Sequence, residues 1–591
     1  MRRSLTLVLA MLACAPLACV VPASAQETTG ADDIQLQRPQ GRPLKLELPA
    51  IDPDKVPPPE AEVRRESLPV PDRWRIMEAL GQPVRRGDPY NNNVLKGDKP
   101  FKPFSKWGPD WFLVLGGISD SLVELRRLPT PVGAQSSGNP GANDVFGFGR
   151  QSTINQNLIV SAAIIKGNTT FKPPDYEFRA VLAVNGNRSQ AQEVRVLEID
   201  PRGGRVRVDG HVAVQELFAD MHLRNVSARF DFDSVRVGIQ PFISDFRGFV
   251  LQDSALGLRL FGTRNDNRWQ YNLGLLQRLE KDSNSGLNDL SAAPRRDYTL
   301  LANLYRQDFP VRGHTTQLVL MHNVNREGGR EFYNANGFIE RPAAVGDARG
   351  HDYQVSYLGL GGDGHFGRWN LSSQLYAAIG RDSHQPLAQR PNQIRAWFGA
   401  AELSRDFDWF RVRATLVAAS GDRDPFDDKA TGFDAILENP QIAGADTSFW
   451  IRQAVPLIGG GGVALSGRNA LLPSLRSSKD QGQSNFVNPG LLLAGLGADF
   501  DLAPRWRLLA NVSKLSFADT SSLEFLRNQG AIDRDIGVDL STGLQFRPFM
   551  TQNVVFNASF AALLPGRGFR ELYDEQRGPQ YSLLANLLLN F

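Results

Sequence analysis

The last eleven residues restrict this chain more than any other stretch. Counting back from the end, Phe591, Leu589, Leu587, Ala585, Leu583 and Tyr581 share one parity, while Asn590, Leu588, Asn586, Leu584 and Ser582 share the other. A β-strand sends successive side chains to opposite faces, so the first set builds one apolar face that closes on an aromatic ring. A strand that meets hydrocarbon on one side and a wet interior on the other needs such a face.

The opposite end carries an export signature. Arg2 and Arg3 precede an apolar run from Leu5 to about Val21, and Ala23-Ser24-Ala25 follows as an A-x-A site that predicts cleavage before Gln26. Cys14 and Cys19, the only cysteines, both lie in this leader. The mature chain is therefore expected to lack disulfides, zinc–thiolate sites and a cysteine nucleophile. Lipidation of Cys19 is the rival reading, and Pro16 sits badly with it.

Beyond the leader no apolar run is long enough for a membrane helix. A mean hydropathy of −0.29 does not exclude a membrane barrel, because only alternate strand residues face lipid. The near balance of charge, +3 over 66 basic and 63 acidic residues, argues against a nucleic-acid partner. Lysine supplies only about a dozen of those basic residues, and arginine, the rest, grips carboxylate and phosphate through a planar fork.

Three parts are expected: a signal peptide over 1–25, a Pro-rich periplasmic extension or small plug over 26–109, and a barrel over 110–591. The extension carries Pro57-Pro58-Pro59 and mixed charge, with Trp74 to Leu80 ahead of Gly81 long enough for two helical turns. From about residue 110 two-residue alternation takes over. Tyr176, Phe178, Ala180, Leu182 and Val184 share one face; so do Ile536, Val538, Leu540, Thr542, Leu544 and Phe546.

Short connections fall near 167–174, 225–233, 262–267, 308–313, 362–367, 405–408, 502–505 and 547–553. Longer polar ones fall near 124–151, 188–210, 241–251, 280–296, 326–350, 381–392, 421–490, 518–532 and 565–577. Eight short turns alternating with nine long loops predict an all-β chain: a transmembrane antiparallel β-barrel of about eighteen strands, or twenty if 421–490 hides a hairpin.

The terminal strand, through Tyr581, Leu583, Leu587, Leu589 and Phe591, resembles the C-terminal assembly signal of bacterial outer-membrane β-barrels of the porin superfamily. That resemblance implies the outer membrane as location, with outer-membrane lipid, periplasmic chaperones and the barrel assembly machinery as partners. A second stretch is more specific. It comprises Gln215-Glu216-Leu217-Phe218-Ala219-Asp220, Val235-Arg236-Val237-Gly238-Ile239-Gln240, Asp245-Phe246-Arg247-Gly248-Phe249, Asp253 and Gly257-Leu258-Arg259-Leu260-Phe261-Gly262. This stretch loosely resembles the alginate-export type of barrel, which implies an anionic polysaccharide as cargo.

Parity names the lumen. With Val235, Val237 and Ile239 toward lipid, Arg236, Gly238 and Gln240 point inward; Leu256, Leu258 and Leu260 do the same for Arg259. Glu177, Arg179, Arg411, Arg413, Arg507, Asp535 and Asp539 are expected inside by the same count. A barrel this wide leaves a water channel or a plugged lumen. Arg179, Arg236, Gln240, Arg259, Arg411 and Arg413 are thus candidates for selecting anions. The alternative is a purely structural network in which the arginines pair with Glu177, Glu216, Asp535 and Asp539.

Asp282-Ser283-Asn284-Ser285-Gly286-Leu287-Asn288-Asp289 spaces oxygen ligands as a calcium loop does but lacks the distal glutamate, so a polar turn is expected. Gly459 to Gly462 precede no Gly-Lys-Ser/Thr, so a flexible or pore-constricting loop is expected. None of the seven histidines shows a zinc spacing, and only His384, beside Ser383 and Asp382, could be stretched into a catalytic set. The expected function is passage of a hydrophilic solute, anionic where the inward arginines select it, with no cofactor and no catalysis. A non-transporting barrel acting through its surface loops, and an outer-membrane hydrolase, are the alternatives.

Overall fold

Alternation becomes strand along the whole barrel, and the sheet it makes has no free edge. The computed structural model describes residues 81, 93–132, 146–167, 173–228, 231–453, 455, 457, 463, 471–573 and 577–591. The leader with Ala23 and Ala25, most of the Pro-rich extension, and Gly459 to Gly462 lie outside the described residues. The wall strands are β1 (Trp111–Arg127), β2 (Arg150–Lys166), β3 (Tyr176–Ala191), β4 (Val206–Asn225), β5 (Phe232–Ile243), β6 (Gln252–Arg264), β7 (Trp269–Gln277), β8 (Asp297–Arg306) and β9 (His314–Arg326). They continue as β10 (Asp352–Phe366), β11 (Trp369–Gln385), β12 (Arg390–Phe407), β13 (Phe410–Ala419), β14 (Leu491–Ala503), β15 (Trp506–Phe517), β16 (Asp535–Phe546), β17 (Val554–Pro565) and β18 (Gln580–Asn590).

The main sheet holds nineteen strands, and one of these, Lys429–Ala430, is a two-residue stub parallel to β12 rather than part of the wall. The other eighteen run antiparallel to their neighbours, and β1 closes on β18 with Leu125 opposite Leu583 and Ile118 opposite Asn590. Eighteen is the number the alternating connections predict. No second hairpin forms in 421–490 among the described residues; β13 pairs straight to β14, Ala419 opposite Leu491.

Closure leaves one problem at the seam. β18 ends opposite Ile118, so the first residues of β1 would present bare backbone on that side, which lipid does not tolerate. Phe591 and the segment before β1 supply the missing partners. The Phe591 N–H donates to the Gly117 carbonyl (2.8 Å) and the Gly117 N–H to the Phe591 carbonyl (3.1 Å). The Leu115 N–H donates to Leu95 (2.7 Å), and the Phe101 N–H to Trp111 (2.8 Å). Lys96 donates from Nζ to the Leu115 carbonyl (2.7 Å) and lies 4.3 Å from the Phe591 ring centre.

Outward side chains form an apolar belt, with Leu158, Val160, Leu182, Leu258, Leu275, Leu358, Leu360, Leu496 and Leu583 exposed. At the short-turn rim the belt ends in aromatic rings, among them Trp111, Tyr176, Trp269, Trp369, Trp409 and Trp506. Lys166, Arg306 and Arg405 lie over several of these, their charge turned to the water boundary. An even number of antiparallel strands, an apolar belt and an aromatic rim are the features of a bacterial outer-membrane barrel, short turns on the periplasmic side.

One expectation is narrowed inside and one is corrected. Of the two readings open for the longest connection, flexible or folded into the pore, the described residues of 420–490 take the second. Phe433, Ile436, Leu437, Phe449, Trp450, Ile451, Leu471, Leu472, Leu475 and Phe486 are buried in one core with the wall residues Tyr357, Phe398, Leu515 and Phe517. So many large apolar side chains cannot stay solvated, and the inside of the barrel is where they leave water. The correction concerns Asp535, which faces outward. Opposite it the β15–β16 register slips by one residue, with Gly537 at φ +138°, and each slip inverts the faces beyond it. Ile536 thereby enters the core and Asp535 meets the exposed Lys514 at 2.5 Å.

Candidate functional site

Inward residues of β3 to β6 fall into register as a charged row. Glu177 stands opposite Asp220, Asp220 opposite Arg236, and Arg236 opposite Arg259. Two acids and two bases thus run across four neighbouring strands. The adjoining row holds Arg179, Phe218, Gly238 and Gly257 in the same order. Gly238 has φ +126°, and a Cβ there would stand 2.2 Å from the Leu217 carbonyl oxygen, so no other residue fits. The Arg236 guanidinium lies over the Phe218 ring, 4.1 Å from its centre.

Most of the candidates are paired. Arg236 meets Asp220 at 2.8 Å and Glu177 at 4.0 Å, and Arg179 meets Glu177 at 2.9 Å and Glu216 at 3.9 Å. On the far wall Arg413 bonds Asp499 (2.9 Å) and the Asn511 side-chain Oδ1 (2.8 Å), and Arg411 bonds Asp406. The Gln240 amide donates to the Gly257 carbonyl at 3.0 Å. Arg259 differs. Among the described residues its guanidinium has no carboxylate partner and its Nε no hydrogen bond; it is held over the rings of Phe261 (4.8 Å) and Phe242 (5.9 Å). The fold therefore brings Arg179, Arg236, Gln240 and Arg259 together, sets Arg411 and Arg413 on another wall, and leaves Arg259 without a carboxylate in direct contact among the described residues.

The loops shape the space beside this row. The turn 244–251 runs inward against 436–441: Ile436 and Leu437 donate to the Val250 carbonyl, Asn439 to Gly248 and Gln441 to Arg247. Arg247 then reaches the opposite wall, to the Ser372 hydroxyl (2.9 Å), Glu402 (3.5 Å) and Asp363 (3.8 Å). Further on, the short helix α1 (Phe449–Arg452) docks on β16. Asp539 accepts from the Ser448 hydroxyl (2.7 Å) and from the N–H groups of Phe449 (3.2 Å) and Trp450 (2.7 Å). Arg452 continues to Glu124 on β1 at 3.0 Å. The described residues of 420–490, a strap inside the barrel, thus touch β10 (the Tyr357 hydroxyl donates to the Asp434 carbonyl at 3.0 Å), β16 and β1 in turn.

Buried ion pairs hold the loops to one another. Arg476 bridges Asp434 and Glu438, both at 2.8 Å and all three out of contact with solvent. Burial alone would raise the Glu438 carboxyl; Lys479 and Arg476 outweigh it and hold it at about 2. Arg295 bonds Glu327 at 2.6 Å, Arg341 bonds Glu280, and Lys281 bonds Asp253 at 2.5 Å. None of these pairs is visible as a motif. The available signal was the apolar content of 433–451 and 471–475, out of place in a surface loop.

Other sequence candidates resolve plainly. Asp282 accepts from the Asn284 N–H (3.2 Å) and from the Ser285 N–H (2.8 Å) and hydroxyl (2.7 Å), which is a polar turn. The catalytic arrangement around His384 does not assemble: Asp382 bonds His351 at 2.9 Å, the Ser383 hydroxyl accepts from the Asp352 N–H, and His384 meets Asp347 at 3.1 Å.

Among solved structures the barrel is similar to several outer-membrane porins. OccK9 (OpdG) of Pseudomonas aeruginosa aligns with 81% of this chain and 98% of its own, at 11% identity and a TM-score of 0.43. OccK2 (OpdF) of the same organism, solved in complex with glucuronate, covers 81% and 95% at 12% identity and 0.41. A BenF-like porin from Pseudomonas fluorescens Pf-5 covers 81% and 99% at 12% and 0.41. These are distant likenesses of barrel to barrel and carry no argument about cargo. No protein-family model and no curated protein sequence matches the chain.

Proposed function

We propose that this protein is an outer-membrane channel for small hydrophilic solutes and that it favours anions. The observation that carries the reading is the unmatched Arg259 at the end of the row Glu177, Asp220, Arg236 and Arg259. A half-buried cation with no carboxylate in direct contact draws an anion, and a guanidinium presents two parallel donors to a carboxylate or phosphate. Arg236, fixed over Phe218 by Asp220, lies beside it as a second contact. Binding that is shared between neighbouring groups, one of them already paired, stays weak enough for a solute to leave. The core that Phe433, Ile436, Phe449, Trp450, Leu471 and Phe486 form inside the barrel favours small solutes over a polymer chain as cargo.

Planar-bilayer recording tests the reading. The native protein conducts, with a reversal potential displaced toward the anion in a salt gradient, and Arg259→Gln moves that potential toward the cation. Absence of conductance would sink the channel reading; conductance with a selectivity indifferent to Arg259→Gln would sink the role of the row.

A further inference from the structure

The guanidinium of Arg247, carried inward by the turn 244–251, lands on a single register row of the opposite wall. Asp363 on β10 stands opposite Ser372 on β11, and Ser372 stands opposite Glu402 on β12. Arg247 meets all three. Its Nε donates to the Ser372 hydroxyl at 2.9 Å, and its Nη2 lies 3.5 Å from Glu402 and 3.8 Å from Asp363. Its Nη1 donates to the Gln441 carbonyl of the strap at 3.1 Å.

The turn has firmer anchors than this span. Asp245 accepts from the N–H groups of Arg247 (3.0 Å) and Phe249 (3.1 Å) and from the Tyr376 hydroxyl on β11 (2.8 Å). The Ser244 carbonyl accepts from the side-chain amides of Asn303 on β8 (2.8 Å) and Gln317 on β9 (2.7 Å). Ser244 and Asp245 are buried, whereas the side chains of Arg247 and Asp363 are 29% and 46% exposed. Asp363 shares the inward parity of Tyr357, so the water that reaches it is lumen water. Contacts of 3.5 and 3.8 Å are also longer than the close seat a guanidinium takes on a carboxylate it locks, such as Arg295 on Glu327 at 2.6 Å. What Arg247 brings to this row is therefore charge more than grip. Among the described residues neither Asp363 nor Glu402 has another ion pair; Glu402 otherwise accepts from the Thr415 hydroxyl at 3.0 Å.

We propose that Arg247 is a selectivity-determining residue of the lumen: it masks the acidic row of Asp363 and Glu402, and without it that wall draws cations. The inference rests on the channel reading above and extends it from the Arg259 wall to a second one. Inward carboxylates favour cations as inward arginines favour anions, and partly buried charges are screened little by salt.

Reversal potentials of the full-length protein in planar bilayers, under a salt gradient, test this. Arg247→Gln displaces the potential toward the cation, and Arg247→Lys, which keeps the charge, holds it near the native value. Adding Asp363→Asn and Glu402→Gln to Arg247→Gln brings the potential back, although it restores no contact to the turn. If Arg247 acted only by holding the turn, this triple variant would stay as displaced as the single one. Heat-modifiable mobility on gels verifies that each variant is a folded barrel, the anchors Ser244 and Asp245 being untouched. A native protein that does not conduct sinks the channel reading and this inference with it. A conducting protein whose potential ignores Arg247→Gln, or whose triple variant stays displaced, overturns this inference alone.

Discussion

Replacing Arg476 by methionine should undock the lumen strap while leaving the barrel intact. Arg476 donates to Asp434 and Glu438 at 2.8 Å each and to the Ile436 carbonyl at 3.2 Å, and none of the three charged side chains touches solvent. Removing it strands two buried carboxylates beside the single cation Lys479. Breaking a buried pair from one side costs about 3–5 kcal/mol, a shift of roughly 10² to 10⁴ in the docking equilibrium. Hydrogen–deuterium exchange reads this directly, since the amides of Ile436, Leu437, Asn439 and Gln441 are tied to the 247–250 turn only while the strap is docked. Burial pushes the Asp434 carboxyl up while its neighbours hold Glu438 down, so the two carboxyls pull the pH dependence in opposite directions and the Glu438 part is the one with a stated value. In the native protein Glu438 titrates at about 2, below its ordinary value, so its contribution is complete above that ordinary value and is lost as pH falls through the folded one. In the variant the stranded carboxylates can take up protons, so exchange quickens most at pH 8 and less at pH 5. Asp434→Asn added to Arg476→Met leaves Glu438 paired with Lys479, strands no second carboxylate and restores part of the protection. Native protection in the single variant at pH 8 would refute the role given to this cluster.

Burial pushes the Asp422 carboxyl, where the strap leaves β13, up to about 7. A carboxyl raised on folding weakens the folded state as pH climbs from its unfolded value toward 7, so strap protection should decline over that interval, and Asp422→Asn should abolish the decline; an unchanged pH profile would count against it. Asp539→Ala removes three acceptor contacts at the start of α1 and should loosen the strap by about 1–3 kcal/mol, seen as faster exchange at Trp450 with an unaltered barrel melting temperature. Deleting Phe591 takes away two seam hydrogen bonds and the ring beneath Lys96; the yield of heat-modifiable barrel in outer membranes should fall, and a native yield would show that the seam and the assembly reading do not depend on it.

The wall was legible because its rule is local. Each wall residue meets either lipid or the interior, and a period of two written along the chain records which, so Phe178, Leu182 and Val184 face outward as their parity demands. Alternating short and long connections carried the strand count for the same reason: a turn is a local event. The rule broke where the backbone inserted a residue, at Gly537, because a bulge is a cross-strand matter and Asp535 looks no different in sequence from its inward neighbours. Arg236 and Arg259 were both placed inside by parity, yet only register shows that Asp220 faces the first and no acid the second.

Taken alone, then, the sequence determined the class of fold, the membrane-facing surface and the side of the wall on which most charges stand, all of which follow from the two-residue period and from turn chemistry. Tertiary structure decided what the long connections do. Whether 420–490 waits outside or packs within depends on contacts with strands far away in the chain, such as Ser448 with Asp539 and Arg452 with Glu124. Buried pairs such as Arg476 with Glu438 form between residues that share no spacing a motif could record. Burial and charge balance are properties of the assembled interior, and no stretch of sequence carries them by itself.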